Sequence, residues 1–282
     1  IVLETSTTIA EVWVNSNFSE TLNRQLTLAA GRNMSFKLKT KLDSNQRQLD
    51  IPEEKTRLSR NPRAATPAER PAIIASNTFE NFVVGPENQM AHAAALAVAK
   101  DPGQHFNPLF IYGPTGLGKT HLMHAIAHSV LESNPSAKIL YIPSEVFVTE
   151  FITALQEHTT AQFKRKYREV DLLLIDDIQF IAGKESTQEE FFHAFNELHN
   201  NHKQVVLTSD HPASEIPKLS ERLVSRFQWG MVADIQAPSL ETRIAILKNK
   251  AKARKLELSS EILEFIASRI ARNVRHLEGA VN

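Results

Sequence analysis

Apolar residues follow two rhythms along this chain. Leu109–Tyr112, Leu172–Ile175 and the Val-Val-Leu of Gln204–Thr208 are short apolar runs with no polar residue interleaved, and Lys138-Ile-Leu-Tyr-Ile142 reads as a further strand. Such runs predict strands covered on both faces, as in a parallel sheet. Between them the spacing turns helical. Leu122, Met123, Ile126 and Val130 share one face, and helical patterns cover 144–157, 160–168 and 188–200. An alanine-rich helix is expected over 87–100, broken by Asp101-Pro-Gly103. From Pro238 onward only helices are predicted, at 239–254, 260–271 and from Asn273 to the end. Strand–helix alternation followed by helices alone predicts an α/β domain with a parallel sheet and a small helical domain behind it.

The first 77 residues read differently. Glu11–Val14 and Met34–Leu38 alternate like strands, and Asn17-Phe-Ser19 opens a helical pattern carrying Leu22, Leu26 and Leu28. That is too little to bury a core alone, so 1–42 is expected to be part of a truncated domain. Residues 43–77 hold Pro52, Pro62, Pro67 and Pro71 among polar residues, with no aromatic. This composition predicts a disordered linker with a typical span of roughly 30–35 Å.

The run Leu109–Tyr112 leads into Gly113-Pro-Thr-Gly-Leu-Gly-Lys-Thr120 and then into the helix carrying Leu122. Strand, glycine-rich loop and helix in that order make a phosphate-binding P-loop. Gly113, Gly116 and Gly118 let the backbone aim its N–H groups at phosphate oxygens. Lys119 is expected at the β- and γ-phosphates of a nucleoside triphosphate, and Thr120 at Mg²⁺. The strand 172–175 delivers Asp176 and Asp177, the latter 58 residues after Lys119, at its C-terminal end, the edge where open α/β sheets bind ligands. Asp176 is expected to hold Mg²⁺, and Asp177 to orient or activate an attacking water.

Other polar residues leave two readings open. Asp210, ending the strand after Thr208 and Ser209, is either a helix cap or a residue set between Mg²⁺ and the γ-phosphate. Arg222 and Arg226 lie four apart on one helix face, either as solvated charges or as an arginine finger offered to another subunit's triphosphate. Arg275, behind a capping Asn273, is either an ordinary arginine or one that reaches the γ-phosphate from the helical domain. His121, His124 and His128 share a helix face, and a polar face outweighs a metal site because no carboxylate or cysteine completes the set. Phe163-Lys-Arg-Lys-Tyr-Arg168 is either a single-strand-binding tract or a solvated helix face.

Composition narrows this picture. Thirty-two basic and 32 acidic residues cancel, so any nucleic-acid contact must be a local patch. The absence of cysteine excludes disulfides and cysteine-based zinc sites and fits a cytoplasmic protein. No apolar run approaches the ~18 residues of a membrane span. A start at Ile1 and an end just after a helical pattern suggest part of a longer protein.

Thr78-Phe-Glu-Asn-Phe-Val-Val-Gly85, Asn107-Pro-Leu109, the P-loop, Leu-Leu-Ile-Asp-Asp-Ile-Gln-Phe180, Gln-Glu-Glu-Phe-Phe192, Leu-Thr-Ser-Asp210, Ser-Arg-Phe-Gln-Trp-Gly230 and Asn-Val-Arg-His-Leu-Glu-Gly279 together closely resemble the bacterial DnaA family of replication initiators, which are AAA+ ATPases. More weakly, 9–38 resembles the end of that family's N-terminal KH-like domain. The resemblance implies four segments: a partial KH-like piece (1–42), a linker (43–77), an AAA+ ATP-binding α/β domain (78–231) and a helical lid (232–282). It implies nucleotide contacts at Val84, Thr115, Leu117 and His121 besides the loop glycines, Lys119 and Thr120. Arg275 and Asp210 would be sensors of ATP, and Arg226 the finger reaching a neighbour's ATP. It implies a weak ATPase that cycles between ATP and ADP with Mg²⁺, and forms a helical oligomer on ATP. That oligomer would hold single-stranded origin DNA through Ile152 and Lys184, with Ser186 where some members carry a basic residue. A C-terminal domain outside this chain would read duplex origin boxes. The replicative helicase and acidic membrane lipids are further implied partners. A regulatory adaptor or helicase loader on the same AAA+ body is the competing expectation.

Overall fold

The computed structural model describes residues 2–5, 37–40, 73–270 and 273–280. They belong to two units, Ile1–Ala65 and Thr66–Asn282. In the first unit, β1 (Val2–Thr5) and β2 (Lys37–Thr40) pair in parallel, with Val2 opposite Lys37. The described strand overlaps the end of the one expected at 34–38, whose first three residues lie outside the described ones. The strand at 11–14, the helix opened by Asn17 and the linker up to residue 72 lie outside the described residues.

The second unit alternates as its apolar rhythm predicts. Helix α1 (Gln89–Lys100) precedes β3 (Leu109–Tyr112), α2 (Lys119–Ser133) and β4 (Ile139–Pro143). A helical pair, α3 (Ser144–Gln156) and α4 (Thr160–Arg168), leads to β5 (Leu172–Asp176). Then come α5 (Glu185–Asn200), β6 (Gln204–Ser209), α6 (Glu221–Phe227) and β7 (Met231–Asp234). The strands form one parallel sheet in the order β4-β5-β6-β3-β7, which sets the strand before the P-loop between β6 and β7.

The unbroken apolar runs have a simple cause. Successive side chains of a strand point to opposite faces, and here both faces are covered. Phe110, Leu173, Ile175, Val205 and Leu207 pack on an aromatic layer that includes Phe147, Phe163, Phe191 and Phe227. Their neighbours Leu109, Ile111, Leu172, Leu174 and Val206 pack on the other face against α1 and α2. Alanines at 91, 94 and 95 let α1 lie close to that layer.

Three helices follow β7: α7 (Leu240–Ala253), α8 (Ser260–Arg269) and α9 (Val274–Ala280). They share a small core of Leu247, Ala251, Leu263, Ala267 and Leu277. Ser239 and Ser259 cap the first two, accepting from Thr242 N–H at 3.3 Å and Ile262 N–H at 3.4 Å.

Two expected boundaries move. The sheet runs on through Asp234, because 231–234 pairs with β3, so an edge at 231/232 would cut a strand. Residues 73–77, expected as the end of the linker, are ordered against α2, with Ile73 packed on the core. The basic tract also resolves. Phe163 and Tyr167 are buried, while Arg168 donates to Glu190 at 2.6 Å and Glu197 at 2.7 Å, and Lys166 to Glu150 at 2.7 Å. Its aromatics are core residues and have no face left for bases.

Candidate nucleotide site

The C-terminal ends of β3, β5 and β6 converge where the P-loop begins, and the lid closes over them. The cleft so formed measures about 430 Å³, lined on one side by Thr115–His121, Asp177 and Asp210, and on the other by Ile246, Asn249, Lys250 and Arg275.

The loop conformation needs its glycines. Gly116 and Gly118 have φ of 83° and 102°, in the left-handed region where side chains are strained. A Cβ on Gly116 would also lie 2.2 Å from Asn273 Oδ1. That close approach joins the loop to the lid. Asn273 Oδ1 accepts from Arg275 N–H at 2.9 Å, and the Val274 N–H donates to Gly116 O at 3.1 Å. The start of α9 is thus fastened to the loop it covers, which brings Arg275 to the cleft.

Lys119, 5% exposed, is held by three acceptors: Gly113 O at 2.6 Å, Pro114 O at 3.2 Å and Asp210 Oδ1 at 2.7 Å. Asp210 Oδ2 also accepts from Thr115 Oγ1 at 3.0 Å. The register explains this: Tyr112 lies beside Ser209, so the end of β6 and the start of the loop are neighbours. Burial works against the Asp210 carboxylate, but the hydrogen bond and charge of Lys119 outweigh it and hold its pKa below the usual value.

Asp176, 6% exposed, is gripped by hydroxyls. Its Oδ2 accepts from Thr120 Oγ1 at 2.8 Å and Tyr141 OH at 3.1 Å, and its Oδ1 from Thr208 Oγ1. A hydroxyl and a carboxylate side by side are hard oxygen donors of the kind that suit Mg²⁺. Burial and the neighbouring Asp176 charge raise the Tyr141 pKa, so its phenol stays a donor. Asp177 has φ 54°, and its backbone is fixed at both ends. Its N–H donates to Thr208 Oγ1 at 2.9 Å, and its C=O accepts from Ser144 Oγ at 2.5 Å. The carboxyl therefore faces the cleft. Burial, then the charge of Asp176, pushes its pKa up.

Most expected residues meet here: Thr115, Gly116, Leu117, Gly118, Lys119, Thr120, His121, Asp177, Asp210 and Arg275 line the cleft, Asp176 stands behind Thr120, and Gly113 O holds Lys119. Val84 does not meet them. The Asn88 side chain donates to Val83 O and accepts from Gly85 N–H, both at 3.0 Å, in a turn that leaves Val83 lining the cleft and Val84 45% exposed. Ile152 and Lys184 are exposed elsewhere, on α3 and just before α5. Tyr141, Thr208 and Ser144, which orient the two carboxylates, were not singled out in the sequence. Only the sheet order brings their strands and helices together.

The three histidines of α2 hold a strap rather than a metal, and among the described residues no group of three or more His, Cys, Asp or Glu could hold one. His121 Nε2 donates to Thr78 O at 2.8 Å, and His128 Nε2 to Ile74 O at 3.0 Å. His124 does the opposite. Its Nδ1 accepts from Asn77 Nδ2 at 3.2 Å and Ile74 N–H at 3.4 Å, so the ring must be neutral there. Burial lowers its pKa; the Asp176 charge opposes this, and His128 and His121 add to it. The sign follows: below the ordinary value of 6.5 the unfolded chain binds a proton that the fold resists. Stability should be undiminished above that pH and fall as pH drops below it. Urea denaturation between pH 8 and pH 5.5 should show a smaller loss in His124→Gln, and equal losses in both proteins would contradict this role.

The family model for the bacterial DnaA ATPase domain matches residues 74–234. Domain III of the Thermotoga maritima replication initiation protein DnaA is 46% identical, with a TM-score of 0.72 over 74% of this chain and 87% of that one. DnaA from Aquifex aeolicus in an AMPPCP-bound structure is 37% identical, with a TM-score of 0.70 over 74% of this chain and 64% of that one. A structure of the replication initiator DnaA bound to AMPPCP and single-stranded DNA matches at 37% identity and a TM-score of 0.70, over 74% of this chain. This chain spans 65% of that relative's length.

Proposed function

Because the chain belongs to the bacterial DnaA ATPase family, we propose that it is the ATP-dependent switch of a replication initiator. ATP lies in the cleft with its phosphates along Gly113–Thr120, Lys119 against the β- and γ-oxygens, and Val83 and Ile246 flanking the nucleoside end. Thr120 and Asp176 would hold Mg²⁺, which would supply positive charge against the phosphates. Asp177 orients the attacking water and takes its proton. Asp210 and Arg275 report the γ-phosphate to the core and the lid. Hydrolysis is slow and turns an active ATP form into an inactive ADP form.

The observation that carries the switch is the position of Arg226. It is not among the residues lining its own cleft, and its guanidinium lies over the rings of Trp229 and Phe192. Among the described residues no carboxylate lies within ion-pair distance of it. An arginine with free donors fits a triphosphate presented by a second copy. In the oligomer so built, Ile152 and Lys184 contact single-stranded origin DNA. Duplex boxes are read by a further domain, the replicative helicase and acidic membrane lipids are further partners, and the setting is the cytoplasm.

Arg226→Ala should therefore load ATP yet fail to assemble. Sedimentation with ATP and with ADP would show ATP-specific oligomers for the wild type only. Removing a finger costs about 10³–10⁵ in hydrolysis by relatives of this chemistry, so turnover in trans should fall as well. Equal assembly by both proteins would refute the reading.

A further inference from the structure

Trp229 is out of place for a packing residue. It is 60% exposed, although tryptophan is on average a highly buried residue. It is nonetheless firmly seated. His199 stacks on it with centroids 5.0 Å apart and planes at 7°. His199 in turn stacks on Phe195 at 6.0 Å and 18°, and Phe195 is fully buried beside Phe227. A column of rings thus rises from the core to the surface and ends in an indole.

Arg226 lies over that indole, its guanidinium carbon 4.3 Å from the Trp229 ring centre. The chain arranges this locally: the turn closing α6 bonds Trp229 N–H to Arg226 O at 3.2 Å, which brings the ring back under the arginine. Phe192 flanks the guanidinium at 5.7 Å. Stacking uses the face of the planar group and leaves its N–H donors at the rim, available to phosphate oxygens. A long flexible side chain is thereby held in one direction before any neighbour arrives, which lowers the ordering cost of the contact.

Resting on the proposed trans role of Arg226, we infer that Trp229, backed by His199, is a positioning residue that sets the aim of this finger toward a neighbouring copy's triphosphate. Its alternative is direct: Trp229 is itself a contact with the neighbour, and Arg226 stacks on it incidentally.

A double-mutant cycle on the full chain separates these, reading the concentration for half-maximal ATP-dependent assembly by sedimentation, with ATP loading and melting measured in parallel. Trp229→Ala should raise that concentration about 10-fold, the loss of one partly desolvated cation–π contact. Trp229→Phe, which keeps a ring face, should recover to within about 3-fold. In an Arg226→Lys background, which keeps a cation and measurable assembly but not the planar group that stacks on the indole, Trp229→Ala should add less than about 3-fold. Full additivity, or no rescue by phenylalanine in a protein of unchanged melting temperature, would overturn the positioning role while leaving the finger intact. Undiminished assembly by Arg226→Ala would overturn the finger, and with it the platform.

Discussion

Lys119→Ala is expected to lower ATP affinity by at least about 100-fold. The amine sits where the loop carbonyls of Gly113 and Pro114 aim it at the cleft, 5% exposed and committed to one direction. Hydrogen bonds to charged groups are worth roughly 1.5–3 kcal/mol each, so one contact each to the β- and γ-phosphates totals about 3–6 kcal/mol. That corresponds to roughly 10²–10⁴ in affinity. A second effect acts in the same direction. Asp210, 2.7 Å from the amine, loses the cation that holds its pKa low. Its carboxylate then faces the phosphates uncompensated. Lysine to arginine is no rescue at so buried a position, since the guanidinium is larger and planar. Equilibrium binding of a fluorescent ATP analogue, with melting to confirm folding, is the measurement. Affinity within tenfold of wild type would mean that Lys119 does not contact the phosphates.

How much of this was readable in the chain depends on the range of the interaction. The P-loop is contiguous, so its glycines, Lys119 and Thr120 were visible as a motif, and the apolar run before it fixed their place at a strand end. The same holds for Asp176, which ends β5, and for Asp177, which follows it. Asn273 as a cap was also visible, because capping is local. Long-range partners were not. Lys119 and Asp210 are 91 positions apart and meet only because β6 pairs with β3. Tyr141 reaches Asp176 because β4 pairs with β5, and nothing in the spacing of a single strand predicts its neighbour. The histidine face of α2 was visible as a pattern, but its occupant, residues 74–78, read as linker and a body start. A stretch of five residues is too short to carry a periodicity from which its docking is evident. The finger presents the same contrast. Arg226 could be singled out by type and position, whereas the indole supporting it was only one aromatic in a motif until the turn after α6 was seen.

Asp177→Asn is expected to separate binding from turnover, lowering kcat by about 10²–10⁴-fold, the usual contribution of a general base. Asparagine keeps the shape and the hydrogen bond from Gln179 Nε2, 3.3 Å from Asp177 Oδ1, but it cannot take a proton. The fold should tolerate the change. The unusual backbone at this residue, φ 54°, is secured by Thr208 and Ser144 through main-chain atoms, and asparagine enters the left-handed region more readily than most residues. The change even removes a repulsion, because burial and the charge of Asp176 both disfavour the Asp177 carboxylate. ATP affinity should therefore stay within about 3-fold or rise slightly, since an anionic neighbour of the γ-phosphate has become neutral. Two consequences separate this from general damage to the site. Single-turnover hydrolysis should slow as much as steady-state hydrolysis, placing the loss in the chemical step rather than in ADP release. ATP-dependent assemblies should also persist for longer after free ATP is removed, in proportion to the slower turnover. Wild-type hydrolysis by Asp177→Asn would assign the attacking water to another group, and a loss of ATP affinity matching the loss of rate would make Asp177 a binding residue instead.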